Sequence, residues 1–303
     1  MCACGTITAV TSAEPGLRLL LPSPETEVAD ERLADRGVRL VLKREDLIHP
    51  ELPGNKWRKL KYNLREARRT GHDTLLTFGG AYSNHIRAVA AAGRHFGFRT
   101  IGVIRGEEHR PLNDSLAFAR SCGMTLTYLD RATYRDKHTP EVEAALRDRF
   151  GRFYLLPEGG SNALAVRGCA EVPAEIQTGF DVVCCACGTG GTLAGIAGGL
   201  APGRRAIGFP ALRGAVFLHD EVARLQRDGL GEVTGNWALA LDFHFGGFAR
   251  RTAELDEFIR DFHRRHAIEL DFVYVAKMLF GVFALAERGE FAPGTTVVAV
   301  VTG

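Results

Sequence analysis

Apolar residues along this chain recur with two alternating periods. Val38, Leu40 and Leu42 occupy every second position, as in a half-buried strand, whereas Leu60 and Leu64 lie four apart, on one face of a helix opening at Asn55. Between them stand Lys43-Arg44-Glu45-Asp46 and a loop holding Pro50 and Pro53. Residues 73–78 read as a strand that runs into Gly79-Gly80-Ala81-Tyr82-Ser83-Asn84, and the alanine-rich stretch 85–96 as the next helix. A strand over 99–104, a helix over 115–122, a strand over 124–128 and a helix opening at Thr139-Pro140-Glu141 complete a first set. Pro140 suits the first helical position, where no amide hydrogen is needed.

A second set begins near Asn162. The pattern predicts a helix to about residue 177, a strand over 181–185, a glycine loop, a helix to about 200, a strand over 205–209 and a helix over 216–227. A strand over 237–241, helices from Thr252 and from about Tyr274, and a last strand over 295–301 follow. Strands alternating with helices in two blocks predict an α/β fold of two lobes, with parallel sheets flanked by helices. In such folds ligands bind where loops leave the carboxyl ends of strands, and the Ser83 and Gly188 loops fall at such ends. The opening residues carry no pattern and read as a loose tail.

Composition narrows the classes. With 303 residues, 46% of them hydrophobic, the chain can bury a large core. Its net charge of +2 gives no bulk attraction to nucleic acid or to an anionic membrane. Residues 182–203 carry no charged side chain, yet they include seven glycines and Pro202. A buried strand, a ligand loop and a packed helix are therefore expected there rather than a membrane span. The 35 glycines collect at loop–helix junctions, where backbone must approach something closely. Cys184, Cys185 and Cys187 sit in an apolar run without the spacing of a zinc site, which reads them as small buried hydrophobes and predicts no metal. An odd total of seven cysteines, Cys2 and Cys4 among them, without a signal peptide predicts a reducing cytoplasm.

Candidate chemistry centres on Lys56, in Pro53-Gly54-Asn55-Lys56-Trp57-Arg58-Lys59-Leu60. A lysine after a Gly-Asn turn, at a helix start, can offer its amine to a carbonyl compound. Cys187-Gly188-Thr189-Gly190-Gly191-Thr192 follows a strand and opens a helix, so its backbone N–H groups and two threonine hydroxyls suit a single dianionic phosphate. It does not fit a dinucleotide: Leu193 replaces the third glycine, and no Asp or Glu occurs between Asp181 and Asp220 to take a ribose. A Schiff-base amine and a cradle for one phosphate together point to pyridoxal 5'-phosphate (PLP). Each element also has a plain structural reading. The glycines can simply let a helix pack on a sheet, and Lys56 can belong to a solvated basic face with Arg58, Lys59 and Lys61. Those same neighbours would help its amine lose a proton. Ser83 and Asn84 can cap the helix that they precede, bind a substrate carboxylate at its N-terminus, or both.

Five segments carry a resemblance: Lys43-Arg44-Glu45-Asp46, Gly54 to Leu60, Gly79-Gly80-Ala81-Tyr82-Ser83-Asn84-His85, Leu156-Pro157-Glu158-Gly159-Gly160-Ser161-Asn162-Ala163 and Gly188 to Thr192. In this order they resemble the aminocyclopropane-carboxylate deaminase / D-cysteine desulfhydrase family of the tryptophan-synthase-β-like (fold type II) PLP enzymes, from about Leu21 onward. The resemblance implies a large PLP-binding domain of residues 1–59 and 163–303, a small domain of residues 60–162, and a cytoplasmic homodimer acting on a small amino acid. It implies that Lys56 forms the Schiff base and later moves protons, that Lys59, Gly188, Thr189, Gly190, Gly191 and Thr192 hold the phosphate, and that Asn84 meets the phenolic oxygen. Ser83, Asn84, His85, Gly159 and Gly160 would line the substrate, with Ser83 at its carboxylate or near its reacting carbon. Tyr274 matches the family's active-site tyrosine.

Three departures shape the expected activity. Val275 follows that tyrosine where the family has Glu or Thr, so the pyridine nitrogen is expected to stay neutral. Phe248 replaces a second tyrosine and loses a proton donor. The sequence ends at Val301-Thr302-Gly303, where relatives continue through further glycines. These features weigh against cyclopropane opening and favour β-elimination from D-cysteine or a similar β-substituted D-amino acid, giving a keto acid and ammonia. The alternatives are aminocyclopropane-carboxylate deamination and a PLP-binding homologue without turnover.

Overall fold

The computed structural model describes residues 17–302; the tail with Cys2 and Cys4, and Gly303, lie outside the described residues. In chain order the elements are β1 (Glu25–Val28), α1 (Glu31–Ala34), β2 (Arg39–Arg44), α2 (Asn55–Arg69), β3 (Thr74–Gly79), α3 (Asn84–Phe96), β4 (Arg99–Arg105), α4 (Asp114–Ser121), β5 (Thr125–Leu129), α5 (Arg131–Arg135), α6 (Pro140–Phe150) and β6 (Tyr154–Leu156). Then come α7 (Ala163–Cys169), β7 (Val182–Cys187), α8 (Gly191–Gly199), β8 (Arg205–Pro210), α9 (Leu218–Leu230), β9 (Trp237–Leu239), α10 (Ala253–His266), α11 (Val275–Glu287) and β10 (Thr296–Val301). Side-chain caps fix many of the helix starts. Ser83, Asn113, Thr139, Asn162 and Thr252 each accept the N–H three residues on, opening α3, α4, α6, α7 and α10.

Two sheets result. The larger has the order β1-β2-β10-β7-β8-β9 and is parallel except for β1, which runs antiparallel to β2 at the edge. The smaller, β5-β4-β3-β6, is wholly parallel. β7 shows why its sequence is a continuous apolar run rather than an alternating one. Val182, Cys184 and Ala186 enter the apolar cluster built with α10 and α11, while Val183, Cys185 and Cys187 enter the one built with α8 and α9. The uncharged stretch 182–203 is thus a buried strand, a loop and a packed helix. No helix among the described residues is long and apolar enough to cross a membrane.

The structure departs from the sequence reading in several places, and α1, α5 and β6 were not expected. The helix expected to reach residue 177 ends at Cys169, and Pro173, which has no N–H to donate, opens a separate single turn, Pro173–Glu175. β2 is buried on both faces rather than half-buried, because it is hydrogen-bonded between β1 and β10. β1 was not legible in the pattern: Glu-Thr-Glu-Val at a sheet edge has no apolar alternation.

A buried ion cluster fixes how α2 enters between the sheets. Arg58 is fully buried on its first turns; Nε and Nη2 donate to Glu45 at 2.9 Å each, and Nη1 and Nη2 to Glu175 at 2.5 and 2.6 Å. Glu45 also accepts from the Ser23 hydroxyl at 2.7 Å. Lys43, equally buried, donates to the Ser23 and Glu175 carbonyl oxygens at 2.7 and 2.8 Å. The Lys43-Arg44-Glu45-Asp46 segment is therefore an anchor for α2. Removing one member leaves an uncompensated buried charge, so Arg58→Ala should cost about 3–5 kcal/mol in denaturant unfolding. Arg69→Ala, which removes an exposed pair with Glu66, should stay within about 1 kcal/mol.

Candidate active site

The start of α2 is pressed against the end of β10. A Cβ on Gly54 would lie 2.4 Å from the Thr302 carbonyl oxygen, and φ there is 48°, so only glycine fits. This contact sets Lys56 at the carboxyl edge of the large sheet. Its amine has no hydrogen-bond partner among the described residues; burial, and after it the Lys59 charge, bring its pKa down to about 7. The solvated basic face that was the plain alternative for Lys56 is not there. Arg58 is neutralised by Glu45 and Glu175, Lys61 is paired with Glu171, and Lys59 is buried. Of the three neighbours only Lys59 acts on the Lys56 amine, and desolvation outranks it.

Lys59 joins the two glycine loops. Its Nζ donates to the Gly159 carbonyl at 3.1 Å and to the Ser161 hydroxyl at 3.0 Å, and Ser161 Oγ lies 2.6 Å from Thr189 Oγ1. Asn55 Nδ2 donates to Thr192 Oγ1 at 3.2 Å, from the residue before Lys56. Lys56, Lys59 and residues 188–192 therefore converge at the N-terminus of α8, where the helix dipole and free N–H groups favour an anion. The glycines divide between both readings given to them. A Cβ on Gly191 would lie 2.5 Å from Ser161 Oγ and 3.4 Å from Lys59 Cε, inside the cradle, whereas one on Gly195 would lie 2.5 Å from the Val166 carbonyl oxygen, so that glycine serves helix packing.

His85 and the Gly159-Gly160 pair complete the inner wall. Thr77 donates its hydroxyl proton to the Leu156 carbonyl at 3.0 Å, so His85 Nε2, 2.9 Å from Thr77 Oγ1, donates its hydrogen to that hydroxyl. Nδ1 is then an acceptor, and it is buried without a partner. Burial, then the charges of Lys56 and Lys59, hold this imidazole well below its ordinary value, so it is neutral. Gly160 covers the ring: its Cβ would lie 2.7 Å from His85 Cε1. Ser83 caps α3, accepting from the Ile86 N–H at 3.3 Å, with a proton still to give. Asn84 is exposed beside a 190 Å³ depression shared with Pro50, Pro53 and Arg87.

Tyr274 stands opposite. Its ring would meet a Cβ on Gly188 at 3.4 Å, and Phe248 lies edge-on against it with centroids 6.0 Å apart. The Asp271 carboxylate caps α11, accepting N–H groups from Val273, Tyr274 and Val275 at 3.1, 2.7 and 2.9 Å, and so holds the tyrosine backbone. Burial first, and the Asp271 charge after it, push the Tyr274 phenol up to about 12, so it keeps its proton at neutral pH. Val275 is fully buried in the apolar cluster of α10 and α11. Its side chain carries no polar atom to offer a pyridine nitrogen.

Sequence reasoning missed Asn55, Ser161, Asp271 and Thr302. Only Ser161 had a local signal, a hydroxyl after a glycine pair before an asparagine, as in the Ser83 segment. The arrangement fits PLP on its own geometry: a cradle that a side chain on Gly191 would crowd, a buried orphan acceptor on His85 and another on Asn55 Oδ1, and a lysine amine titrating near neutrality.

A two-sheet α/β fold with such an amine beside such a cradle defines the class of fold type II PLP enzymes. The chain belongs to the pyridoxal-phosphate dependent enzyme family, whose model matches residues 24–303. It is 30% identical to the mitochondrial bifunctional D-cysteine desulfhydrase/1-aminocyclopropane-1-carboxylate deaminase of Arabidopsis thaliana, over 81% of this chain and 67% of that protein. It is 28% identical to a D-cysteine desulfhydrase of Yersinia enterocolitica, over 90% and 88% of the two chains. A crystal structure described as an ACC deaminase homologue superposes with a TM-score of 0.82 at 28% identity, covering 93% of this chain and 89% of that one.

The Lys56 value gives a measurable pH dependence. Its folded-state pKa lies below the unfolded-state value, so the protonated amine opposes folding and this term turns more favourable as pH rises from about 7 toward 10.5. Acylation of Lys56 by an amine reagent, followed by peptide mapping, should rise through a midpoint near 7, and Lys59→Met should move that midpoint upward. A midpoint near that of exposed lysines would show that the amine is not desolvated.

Proposed function

We propose that this protein is a β-eliminating lyase that converts D-cysteine, or a similar β-substituted D-amino acid, and water into a keto acid, ammonia and the released β-substituent. For D-cysteine the products are pyruvate, ammonia and hydrogen sulfide, and no oxidant or reductant is needed. The observation that carries this reading is the unpaired Lys56 amine, with its pKa brought down to about 7, beside a cradle for one phosphate. Likeness to D-cysteine desulfhydrases and to 1-aminocyclopropane-1-carboxylate deaminases agrees with either substrate, and the choice between them rests on Phe248 and Val275.

Lys59, Ser161, Thr189 and Thr192 would hold the phosphate of PLP, with the N–H groups of residues 188–191. Bound there, PLP supplies an electron sink that acidifies the substrate's α-hydrogen. Lys56 would take that proton, which its low pKa suits. Ser83 has a hydroxyl proton for the substrate carboxylate, at a helix N-terminus that favours the same anion. Asn84 would turn its amide to the phenolic oxygen, and neutral His85 would accept a hydrogen bond at Nδ1 from the substrate's side. Tyr274, protonated, would serve as donor to the leaving group. Two lobes of residues 1–59 with 163–303 and of 60–162 fit the membership of the two sheets, and a cytoplasmic homodimer completes this reading on the family resemblance alone.

A panel of D- and L-β-substituted amino acids should yield keto acid from D-cysteine or a near analogue, and Lys56→Ala should abolish it. Keto acid from none of them would sink the proposal, and with PLP still fixed on Lys56 by borohydride it would leave a binding protein without turnover. Phenol chemistry favours a second reading only if it can be restored. If 1-aminocyclopropane-1-carboxylate is instead the substrate, wild type should give 2-oxobutanoate and ammonia, and Phe248→Tyr should raise that rate by about tenfold.

A further inference from the structure

Lys277 is a buried charge that the site described above does not use. It lies on the first turn of α11, three residues beyond Tyr274, and is 1% exposed. Among the described residues no carboxylate stands within ion-pair distance of it. Its Nζ donates instead to two carbonyl oxygens, those of His244 at 2.9 Å and Gly247 at 2.8 Å.

Those carbonyls belong to a loop with an uncommon backbone. Phe245 and Ala249 have φ of 50° and 54° without being glycine, and Gly246 and Gly247 have φ of 88° and 119°. A non-glycine residue in this region costs about 1 kcal/mol or more and persists only where its surroundings hold it. Local bonds do part of this: the Gly247 N–H donates to the His244 carbonyl at 3.0 Å and the Gly246 N–H to His244 Nδ1 at 3.0 Å. The Lys277 ammonium supplies the link from loop to helix. The residue after these carbonyls is Phe248, nearly half exposed, whose ring lies against Tyr274. Tyr274 is thus bounded by Phe248 on one side and Gly188 on the other, and Lys277 ties the helix that carries the tyrosine to the loop that carries the phenylalanine.

We propose that Lys277 is a positioning residue: its ammonium acts as a tethered cation that gathers the 244 and 247 carbonyls, seats Phe248 against Tyr274 and so holds the phenol over the glycine cradle. A hydrogen-bonding ammonium, rather than side-chain bulk, is what this role requires. The kinetic consequence rests on the proposed lyase reading; the structural one does not.

Hydrogen exchange on the full chain tests the link directly. Lys277→Met keeps the apolar stem and loses the donor. Amides of residues 244–250 should exchange about tenfold faster or more, while β7 and β10 stay within about twofold of wild type. Lys277→Arg, which can still donate twice, should restore most of that protection. In turnover of whichever amino acid of that panel wild type accepts, Lys277→Met should lower kcat by about tenfold with KM changed by less than about threefold. Phe248→Ala should lower kcat similarly without loosening residues 244–247, and the double variant should be no worse than Lys277→Met alone. Unchanged exchange in Lys277→Met would overturn the proposal. So would an unaltered kcat in Phe248→Ala, which decides the matter even if Lys277→Met does not fold. If wild type turns over no amino acid, the lyase reading fails while the exchange comparison still decides the tether.

Discussion

Arg58 is a full positive charge removed from water, and its neutralisation by Glu45 and Glu175 is the condition under which the rest of the site can exist. Glu45 follows β2 of the large sheet, Glu175 closes the turn after α7, and Arg58 sits on α2 between Lys56 and Lys59. One guanidinium thereby sets both the depth and the rotation of the helix turn that presents the two lysines. Its planar fork suits this, because two carboxylates engage it at defined angles and a point charge would leave α2 free to turn. The close approach of α7 to α2 has the same origin. A Cβ on Gly168 would lie 1.9 Å from the Arg58 carbonyl oxygen, so the helices meet backbone to backbone at the residue that the ions fix.

Around that anchor the buried cations are treated unequally, and the inequality is chemical. Lys43 has the Glu25 carboxylate at 3.5 Å besides its two carbonyls, whereas Lys277 is held by a pair of backbone carbonyls and Lys59 by a carbonyl and a hydroxyl. Carbonyls and hydroxyls satisfy an ammonium's protons without cancelling its charge, so Lys59 keeps a positive field in its neighbourhood. Lys56 receives neither kind of partner and stands beside Lys59. Desolvation with no compensating bond lowers its pKa, and the retained charge of Lys59 lowers it further. His85, next to both, is held neutral by burial first and by the same field after it, and keeps a free acceptor. A nucleophilic amine, a cation ready for phosphate and a neutral acceptor thus follow from one arrangement of charge.

Local rules made much of this legible. Caps at Ser83, Thr139, Asn162 and Thr252 and the alternation of β and α gave the fold class, and the glycine loop after an apolar strand fell where the parallel sheet leaves its carboxyl edge. What stayed hidden were the partners of the charges. Basic residues crowded at a helix start left a solvated face open as a reading, because the partners of Arg58 and Lys61 lie up to 117 and 110 residues away along the chain. Ser161, which meets Lys59 across 102 residues, was hidden for the same reason. A polar edge strand such as β1 has no period to detect, because its order comes from pairing with β2 and from Glu25, whose carboxylate accepts the Gln177 and Thr178 N–H groups.

The choice between elimination and ring opening turns on how many proton donors can face the reacting carbons. Tyr274 is fixed between Gly188 and Phe248, and Phe248 offers only a ring edge where a second phenol would be needed. One well-held phenol can donate a hydrogen bond to a departing sulfur, whose own acidity lets it leave without full protonation. Opening a cyclopropane ring asks for more, because the leaving centre is carbon and must be protonated as it departs while the remaining charge is stabilised. The buried, apolar Val275 adds nothing to that stabilisation. A site with one phenol, one neutral imidazole acceptor and one near-neutral lysine is matched to a substrate that brings its own leaving group, and a β-substituted amino acid does so.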